Sequence, residues 1–547
     1  MNPSKTSSLE TEISELKKLV NNLLDKVNKL TTENTSLREE LRHLKKLKGQ
    51  PKIRPGKKNS ESSNNDKSEK PASDSGSTPP PKAKRQRSEK PGRTSKPAPT
   101  SIRKEIRKAE GVQEDWEFKG YKDFTHIDVD LQFTATCYRR EFWLTPQGPV
   151  IAPLPKHVKG RFGNNLIAMV LDLYHSCSVT QPLLLDWLHS HGCSISEGTL
   201  NNLLTQNHDA FHQEREDILE TGIAHSRALL VDDTGARHDG SNGFCTVIGN
   251  EAFTVFASTP SKSRINFLSL LQGQRRSHVL NPEAIKYMEQ VGMAAKWIEA
   301  LSAYGETHFL NEVAWSAFLD DHKLLAKQQR RWATEAVLKA GLLSNGFPES
   351  MIIHSDGARQ FDTVFEHSLC WFHASRPLAK LIPANNRERA ARNWIEKQYW
   401  NLYDDIEAYC ETPTEARKLQ LEQDFNHWVT TQVDYPELRA ELGKIYRARE
   451  ELLLVLKYPW LPLHNNLSER QIREYVKRRK VSGGTRSLLG QRCRDTFASL
   501  KKTCRLHGLS FSKYLKDRVS GAGLMPQLSA LVREKLTRLT ADITYAV

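Results

Sequence analysis

Several things are scarce or missing in these 547 residues, and each removes a class of protein. No stretch approaches the roughly 18 uninterrupted apolar residues of a membrane span, so no membrane partner is expected. The opening MNPSKTSSLETEI has no apolar signal core, so secretion is not expected either. The eight cysteines include no C-x-x-C pair. That argues against a disulfide scaffold and fits free thiols in a reducing cytosol. Negative charge is also short: 80 Lys and Arg face 65 Asp and Glu, leaving a net charge of +15. An excess of this size points to a polyanionic partner, nucleic acid first, or to a basic tail on a neutral body. The length is too great for one core and implies three or four structural units.

What is present first is a heptad. Leucine recurs at Leu9, Leu16, Leu23, Leu30, Leu37 and Leu44, with Ile13, Val20, Val27, Asn34 and Leu41 at the other seam position. Leu at d with mostly β-branched residues at a favours a parallel two-stranded coil, and one buried Asn supports that register. Glu12 and Lys17, Glu33 and Arg38, and Glu40 and Lys45 keep the five-residue step used between parallel strands of such a coil. A homodimer is the expectation. Almost nothing precedes the heptad, whereas a basic-zipper transcription factor carries its basic region there.

After the heptad the composition collapses into Ser, Pro, Lys, Asn and Gly, which cannot bury a core. Between Lys48 and Thr100 there are fourteen Lys and Arg against five Asp and Glu, so this linker carries much of the basic excess. A small β-rich piece is expected next, then several helices. Within LLLDWLHSHGCSISEGTLNNLL, Gly192 ends one helix and Ser194 or Ser196 caps the next, with Ser194 and Glu197 able to form a capping box. A helix, a Gly-containing turn and a capped helix make the helix-turn-helix pattern, which is equally the pattern of a plain helical hairpin.

The run Leu229-Leu230-Val231 reads as a buried strand ending in Asp232 and Asp233. Two more strands follow as a meander, then helices that reach to Gly341. SMIIHSDGARQFD is again a strand ending in an acid, Asp356, and SLCWFH reads as a further short strand. From about Ser375 to Lys457 the pattern is helical. HNNLSERQIREYVKRRK then starts a capped basic helix with Glu469 in its first turn. A meander followed by strands and helices is the order of a ribonuclease-H-like fold, where the first and fourth strands lie side by side. Three carboxylates converging there repel one another unless cations sit among them. Two divalent ions about 3.5–4 Å apart resolve the conflict and activate a phosphodiester for attack. Mg²⁺, a hard ion that keeps sites for water and phosphate, suits this, with Mn²⁺ as a substitute. Each acid also has a plain reading: Asp356 as an Asp-Gly turn, Glu469 as the partner of Asn466 in a capping box, and Asp232 or Asp233 as a turn cap beside Thr234. Arg473 and Lys477 lie at i+4 and i+8 from Glu469, on its face, and Arg470, Arg478, Arg479 and Lys480 add charge.

LLVDDTGAR, IIHSDGARQFD, CWFHASRPL and HNNLSERQIREYVKRRK, in this order, resemble the DDE transposases of insertion-sequence family sixty-six, as does the Leu-rich start with its Ser/Asn/Lys-rich linker. The resemblance spans nearly the whole chain. It implies an α/β ribonuclease-H-like catalytic core with helical insertions, preceded by a coiled coil (1–47), a disordered basic linker (48–105), a degenerate zinc-finger-like β piece (106–160) and a helix-turn-helix block (161–225). The core would span 226–374 and 461–517 around an all-helical insertion (375–460), with a C-terminal tail (518–547). By the same resemblance Asp232, Asp356 and Glu469 are the catalytic, metal-holding acids, using two Mg²⁺ ions. The implied partners are the element's terminal inverted repeats, target DNA and helper proteins from the same element, in a cytoplasmic, nucleoid-associated setting. Arg470, Arg473, Lys477, Asn201 and Asn202 are the expected DNA contacts.

The sequence departs from the family in places. Cys137 stands alone where the family often pairs cysteines for zinc, and the stretch between the first two acids carries added helices from about Arg275 to Gly341. His367, Cys370 and His373 are spaced by three without a fourth ligand, which favours core packing or DNA-end contact by Trp371 and His373 over zinc. Strand alternation sends Asp232 and Asp233 to opposite faces. Polarity does not choose between them; the resemblance chooses Asp232 and leaves Asp233 as a turn acid near Thr234. The rival readings are a catalytically inactive DNA-binding descendant of a transposase, a ribonuclease-H-like structure-specific nuclease, and a plain dimeric regulator.

Overall fold

The β-branched and aromatic runs around Asp232 fold as one mixed sheet. A computed structural model describes residues 18–33, residues 131–544 apart from 363 and 364, and scattered positions between 106 and 129. The chain divides into one unit of Met1–Lys46 with Thr136–Val547 and another of Leu47–Ala135, which has no helix or strand among its described residues. In chain order the strands are β1 (Phe142–Thr145), β2 (Gly148–Ile151), β3 (Ala228–His238), β4 (Ser241–Gly249), β5 (Thr254–Thr259), β6 (His278–Leu280), β7 (Thr307–Phe309), β8 (Ile352–Ser355) and β9 (Glu366–Leu369). β1 and β2 form an isolated hairpin within the expected β-rich piece.

The central sheet runs β5-β4-β3-β8-β9. β3, β4 and β5 are an antiparallel meander, while β8 and β9 run parallel to β3 and to each other. This order and these directions are compatible with a ribonuclease-H-like core. Leu229, Leu230 and Val231 are all buried because β3 is central and covered on both faces. The helix Asn466–Ser482 lies on one face, where Ile472 and Tyr475 pack with Ala236, Cys245, Val247 and Phe256. The helix Leu488–Leu506 runs along the outer edge of β5 and satisfies its free N–H groups. Asp495 accepts from Ser258 N (2.7 Å), Ser499 from Phe256 N (2.9 Å) and Thr503 from Thr254 N (3.3 Å). Acceptors at helix steps of four thus match donors at strand steps of two, and an edge that would otherwise invite pairing is closed.

Two inserts have cores of their own. Between Trp371–Lys380 and Asn466–Ser482 come the helices Asn386–Glu411, Glu415–Val429 and Pro436–Arg447, then two short turns of helix, around Trp371, Tyr399, Phe425, Trp428 and Tyr435. Between β5 and β8 the expected helices are present but not alone. β6 and β7 pair antiparallel, and the helical stretch expected to reach Gly341 ends as two helices, Glu312–Asp321 and Lys327–Ser344. Val279, Tyr287, Met288, Trp315 and Leu319 fill that core.

Ahead of the sheet, the helices Asn164–His175, Gln181–Ser190 and Glu197–Thr205 pack on one another. Ser196, not Ser194, caps the third: its Oγ accepts from Thr199 N at 3.2 Å. The helix Asp209–His225 follows. Where a tail was expected from 518 on, Leu528–Thr544 is a helix packed on Asp209–His225, with Leu528, Val532 and Leu536 buried. Glu214 anchors the turn before it, accepting from Tyr514 Oη (2.7 Å), Arg518 Nε (2.9 Å) and Leu528 N (3.2 Å). Of the expected coil only 18–33 is described. It is helical, and Leu19, Val20, Leu23, Leu24, Val27 and Leu30 are exposed along it. Asn34 and the remaining seam residues lie outside the described residues. Among the described residues no helix is long and apolar enough to cross a membrane.

Candidate active site

The register of β3 separates the two adjacent acids. Asp232 pairs with Val247 across β4, and Asp233 pairs with Thr246. Cross-strand partners share a face. Val247, Cys245 and Ala236 pack under Ile472 and Tyr475, so Asp232 lies on the face covered by the helix Asn466–Ser482. Asp233 lies on the other face. β3 continues through it to His238, so it is not the turn acid expected from the sequence. It forms an ion pair with Lys262, from the segment after β5, and accepts a hydrogen bond from Gln360 Nε2, from the loop after β8.

Asp356 follows the last residue of β8. The parallel register pairs Leu230 with His354, and Asp232 and Asp356 each stand two residues beyond that pair: Asp356 just past the carboxyl end of β8, and Asp232 within β3 where its pairing with β8 has stopped. Asp356 also makes the plain turn expected of Asp-Gly: Oδ1 accepts from Ala358 N at 3.0 Å, and Gly357 takes φ +86°. Arg264 steadies this loop, donating to Arg359 O (3.3 Å) and pairing with Asp362 (3.2 Å) and the buried Glu335 (3.1 Å) of the neighbouring insert.

Glu469 arrives from a third direction. Asn465, fully buried, donates from Nδ2 to Val231 O at 2.8 Å, and its own N–H reaches Cys370 Sγ at 3.3 Å. These bonds tie the start of the helix Asn466–Ser482 to β3 one residue before Asp232. The capping box with Asn466 does not form. Glu469 Oε1 instead lies 3.0 Å from Arg376 Nη2 and 3.4 Å from His373 Nε2. Burial, then Arg376, holds His373 below the usual imidazole range, so the positive partner of Glu469 is Arg376. Trp371, for which core packing and DNA-end contact were the open readings, is buried in the insert core, and its Nε1 donates to Leu452 O at 3.0 Å.

The electrostatics of the two strand acids differ. Burial raises Asp232 to about 7; the charges of Asp356, Asp233 and Glu469 add to this, and the Asp233 N–H at 2.7 Å opposes it. No lysine or arginine pairs with Asp232 among the described residues. Burial raises Asp233 as well, but Lys262 and Gln360 pull against it. Among the described residues no three His, Cys, Asp or Glu side chains already form a group that holds a metal. The chemistry of the three acids nonetheless fits a hard divalent ion: carboxylate oxygens carried by β3, the loop after β8 and a helix, with His373 beside Glu469 and no cation paired to Asp232 among the described residues.

Of the expected DNA contacts, Arg470, Arg473 and Lys477 are exposed on the helix that carries Glu469, and Asn201 and Asn202 are exposed on Glu197–Thr205. The basic face is narrower than the sequence suggests. Arg478 is buried: it donates to His175 O at 2.9 Å and sits 4.6 Å over the Tyr174 ring, pinning the helix to Asn164–His175. Lys262, Gln360, Asn465 and Arg376 were not singled out from sequence. Arg376 at least stands inside a motif that was, CWFHASRPL.

A family model described as Transposase IS66 family matches residues 315–492, a span that includes Asp356, Glu469 and the helical insert but begins after Asp232. The chain is 35% identical over 322 residues to a Sinorhizobium fredii protein that bears the name uncharacterized protein y4jO. That alignment covers 58% of this chain and all of the relative.

Proposed function

Because the chain belongs to the IS66 transposase family, we propose that it is a DDE-type transposase that cuts and joins DNA at the ends of an insertion sequence. The observation that carries this reading is the nearness of Asp356, just past the end of β8, and of Glu469 to Asp232 in the adjacent strand β3, with no cation paired to Asp232 among the described residues. Asp232, Asp356 and Glu469 would hold the divalent ions. When bound, such ions supply Lewis-acid activation of the attacking and leaving oxygens of a phosphodiester. Asp233, with Lys262 and Gln360, holds the middle of β3 against the loop after β8 from the opposite face. Arg473 and Lys477 continue the Glu469 face and suit the phosphates flanking the cut. Asn201 and Asn202 are placed to reach base edges if the three-helix block docks as a helix-turn-helix. The helix 18–33, with its exposed apolar stripe, is the expected homodimer seam, holding two DNA ends in one complex. The work would be done in the cytoplasm, at the nucleoid.

The test is a strand-transfer assay with the inverted repeats that flank the gene and a circular target, in Mg²⁺ and in EDTA. Joined products only with the ion support the reading. Cut but unjoined ends would make the protein a structure-specific nuclease, and end binding without cutting would make it a DNA-binding descendant. Binding should weaken steeply with salt, as Lys and Arg displace condensed counterions. Removing residues 1–47 should turn a dimer into a monomer by light scattering.

A further inference from the structure

Glu469 is the acid of the three that is already engaged by a cation. Arg376 reaches it from the first helix after β9, at 3.0 Å, and this side chain is half exposed (51%) while Glu469 is 28% exposed. An ion pair this open is weak and easily exchanged. Its cation is a guanidinium, whose planar fork matches a phosphate as well as a carboxylate. On the same helix, one turn earlier, His373 packs against the same carboxylate oxygen. Asp232, a short distance away, feels the negative charge of Glu469 but gains no cation from it.

We propose that Arg376 is a phosphate-exchange residue. In the DNA-free protein it holds Glu469 and lowers affinity for divalent ions; an arriving DNA phosphodiester takes the guanidinium and releases Glu469 to complete the ion site. Loading of the ions is thereby coupled to loading of DNA. The inference rests on the transposase reading of the three acids. Arg376 acts through Glu469, as a positioning residue, and binds the DNA backbone without reading sequence.

The experiment is Mn²⁺ binding to the full-length protein, followed by electron paramagnetic resonance, with and without a short duplex of the element end. Wild type should bind weakly alone and about tenfold more tightly with DNA. Arg376→Ala should bind tightly from the start, with the DNA-dependent gain reduced to less than about twofold. Arg376→Lys should restore part of the gain, which a merely structural role would not predict. Circular dichroism melting checks that each variant folds; should Arg376→Ala not fold, Arg376→Gln takes its place. Equal Mn²⁺ affinity in wild type and the charge-removed variant, both DNA-free, overturns the exchange. Asp232→Asn and Glu469→Gln separate the two ideas. If these variants lose Mn²⁺ while Arg376→Ala changes nothing, only the exchange fails. If Mn²⁺ binding ignores both acid substitutions, the transposase reading of the site fails with it.

Discussion

Glu469 and Glu474 sit on one helix, little more than a turn apart, in opposite surroundings. Glu474 faces the helix Leu488–Leu506 and is gripped by three cations: Lys501 and Lys502 at 2.5 Å and Arg505 at 3.0 Å. Burial alone would raise its carboxyl, but Lys501 and Lys502 overcome that and hold it at about 2. At the other end, Asp232, Asp356 and Glu469 share one arginine among the described residues, which lies on Glu469, and Asp232 is pushed the other way, to about 7. Where cations outnumber acids, the charges fasten one helix to another. Where acids outnumber cations, the fold is left carrying repulsion that only a bound cation relieves. The second arrangement weakens the metal-free protein, so its presence calls for a functional explanation.

Breaking the acid-rich end should have the largest effect on chemistry. Asp356→Asn should lower cleavage of an element end at least about a thousandfold while leaving gel-shift affinity within about twofold. A comparable loss of binding would make Asp356 a scaffold residue. Breaking the cation-rich end should act on the fold instead. Glu474→Gln leaves three cations facing no charge and should cost about 2–3 kcal/mol in urea unfolding at pH 7. The folded carboxyl is depressed, so its contribution is present above the unfolded value of about 4.3 and is lost as pH falls through about 2. The same substitution should therefore matter less in acid than at neutrality.

The opposite sign is expected at Asp232. Its folded carboxyl is raised, so the protonated form favours folding below the unfolded value of about 3.9, and that contribution is lost as pH rises through about 7. Asp232→Asn should stabilise the ion-free protein at pH 8 by about 1–2 kcal/mol, and the gain should shrink at pH 5. Saturating Mg²⁺ should stabilise wild type and not the variant. The smallest effect belongs to Asp233, whose charge Lys262 already meets: Asp233→Asn should cost cleavage no more than about tenfold.

How legible all this was in sequence depends on the range of the signal. The acids Asp232 and Asp356 are local signals, each closing an apolar run, although β3 itself continues past Asp232 to His238. The heptad and the four ordered motifs were equally local. The inserts were legible as helical, but β6 and β7 are three residues each, too short for alternation to register. Their pattern was available in another form, since His278-Val279-Leu280-Asn281 and His308-Phe309-Leu310-Asn311 repeat, each Asn capping the next helix through its side chain. What sequence did not carry was pairing between distant elements. Nothing near Lys262 announces Asp233, and nothing near Arg376 announces Glu469. The basic run RRK read as one charged face, although Arg478 turns inward because the helix packs on two sides. The face of β3 was undecidable from polarity and became decidable only once Val247 and Ile472 were seen to share it.

That choice of face is the most direct point of attack. Single-turnover cleavage of a labelled element end at saturating Mg²⁺ should be compared for wild type, Asp232→Asn and Asp233→Asn, with a gel shift on the same DNA. The account predicts no detectable cleavage for Asp232→Asn, a measurable fraction for Asp233→Asn, and unchanged binding for both. Cleavage by Asp232→Asn at a rate near wild type would contradict it: with Asp233→Asn dead, the other face of β3 would be the working one, and with both variants active β3 would leave the active site.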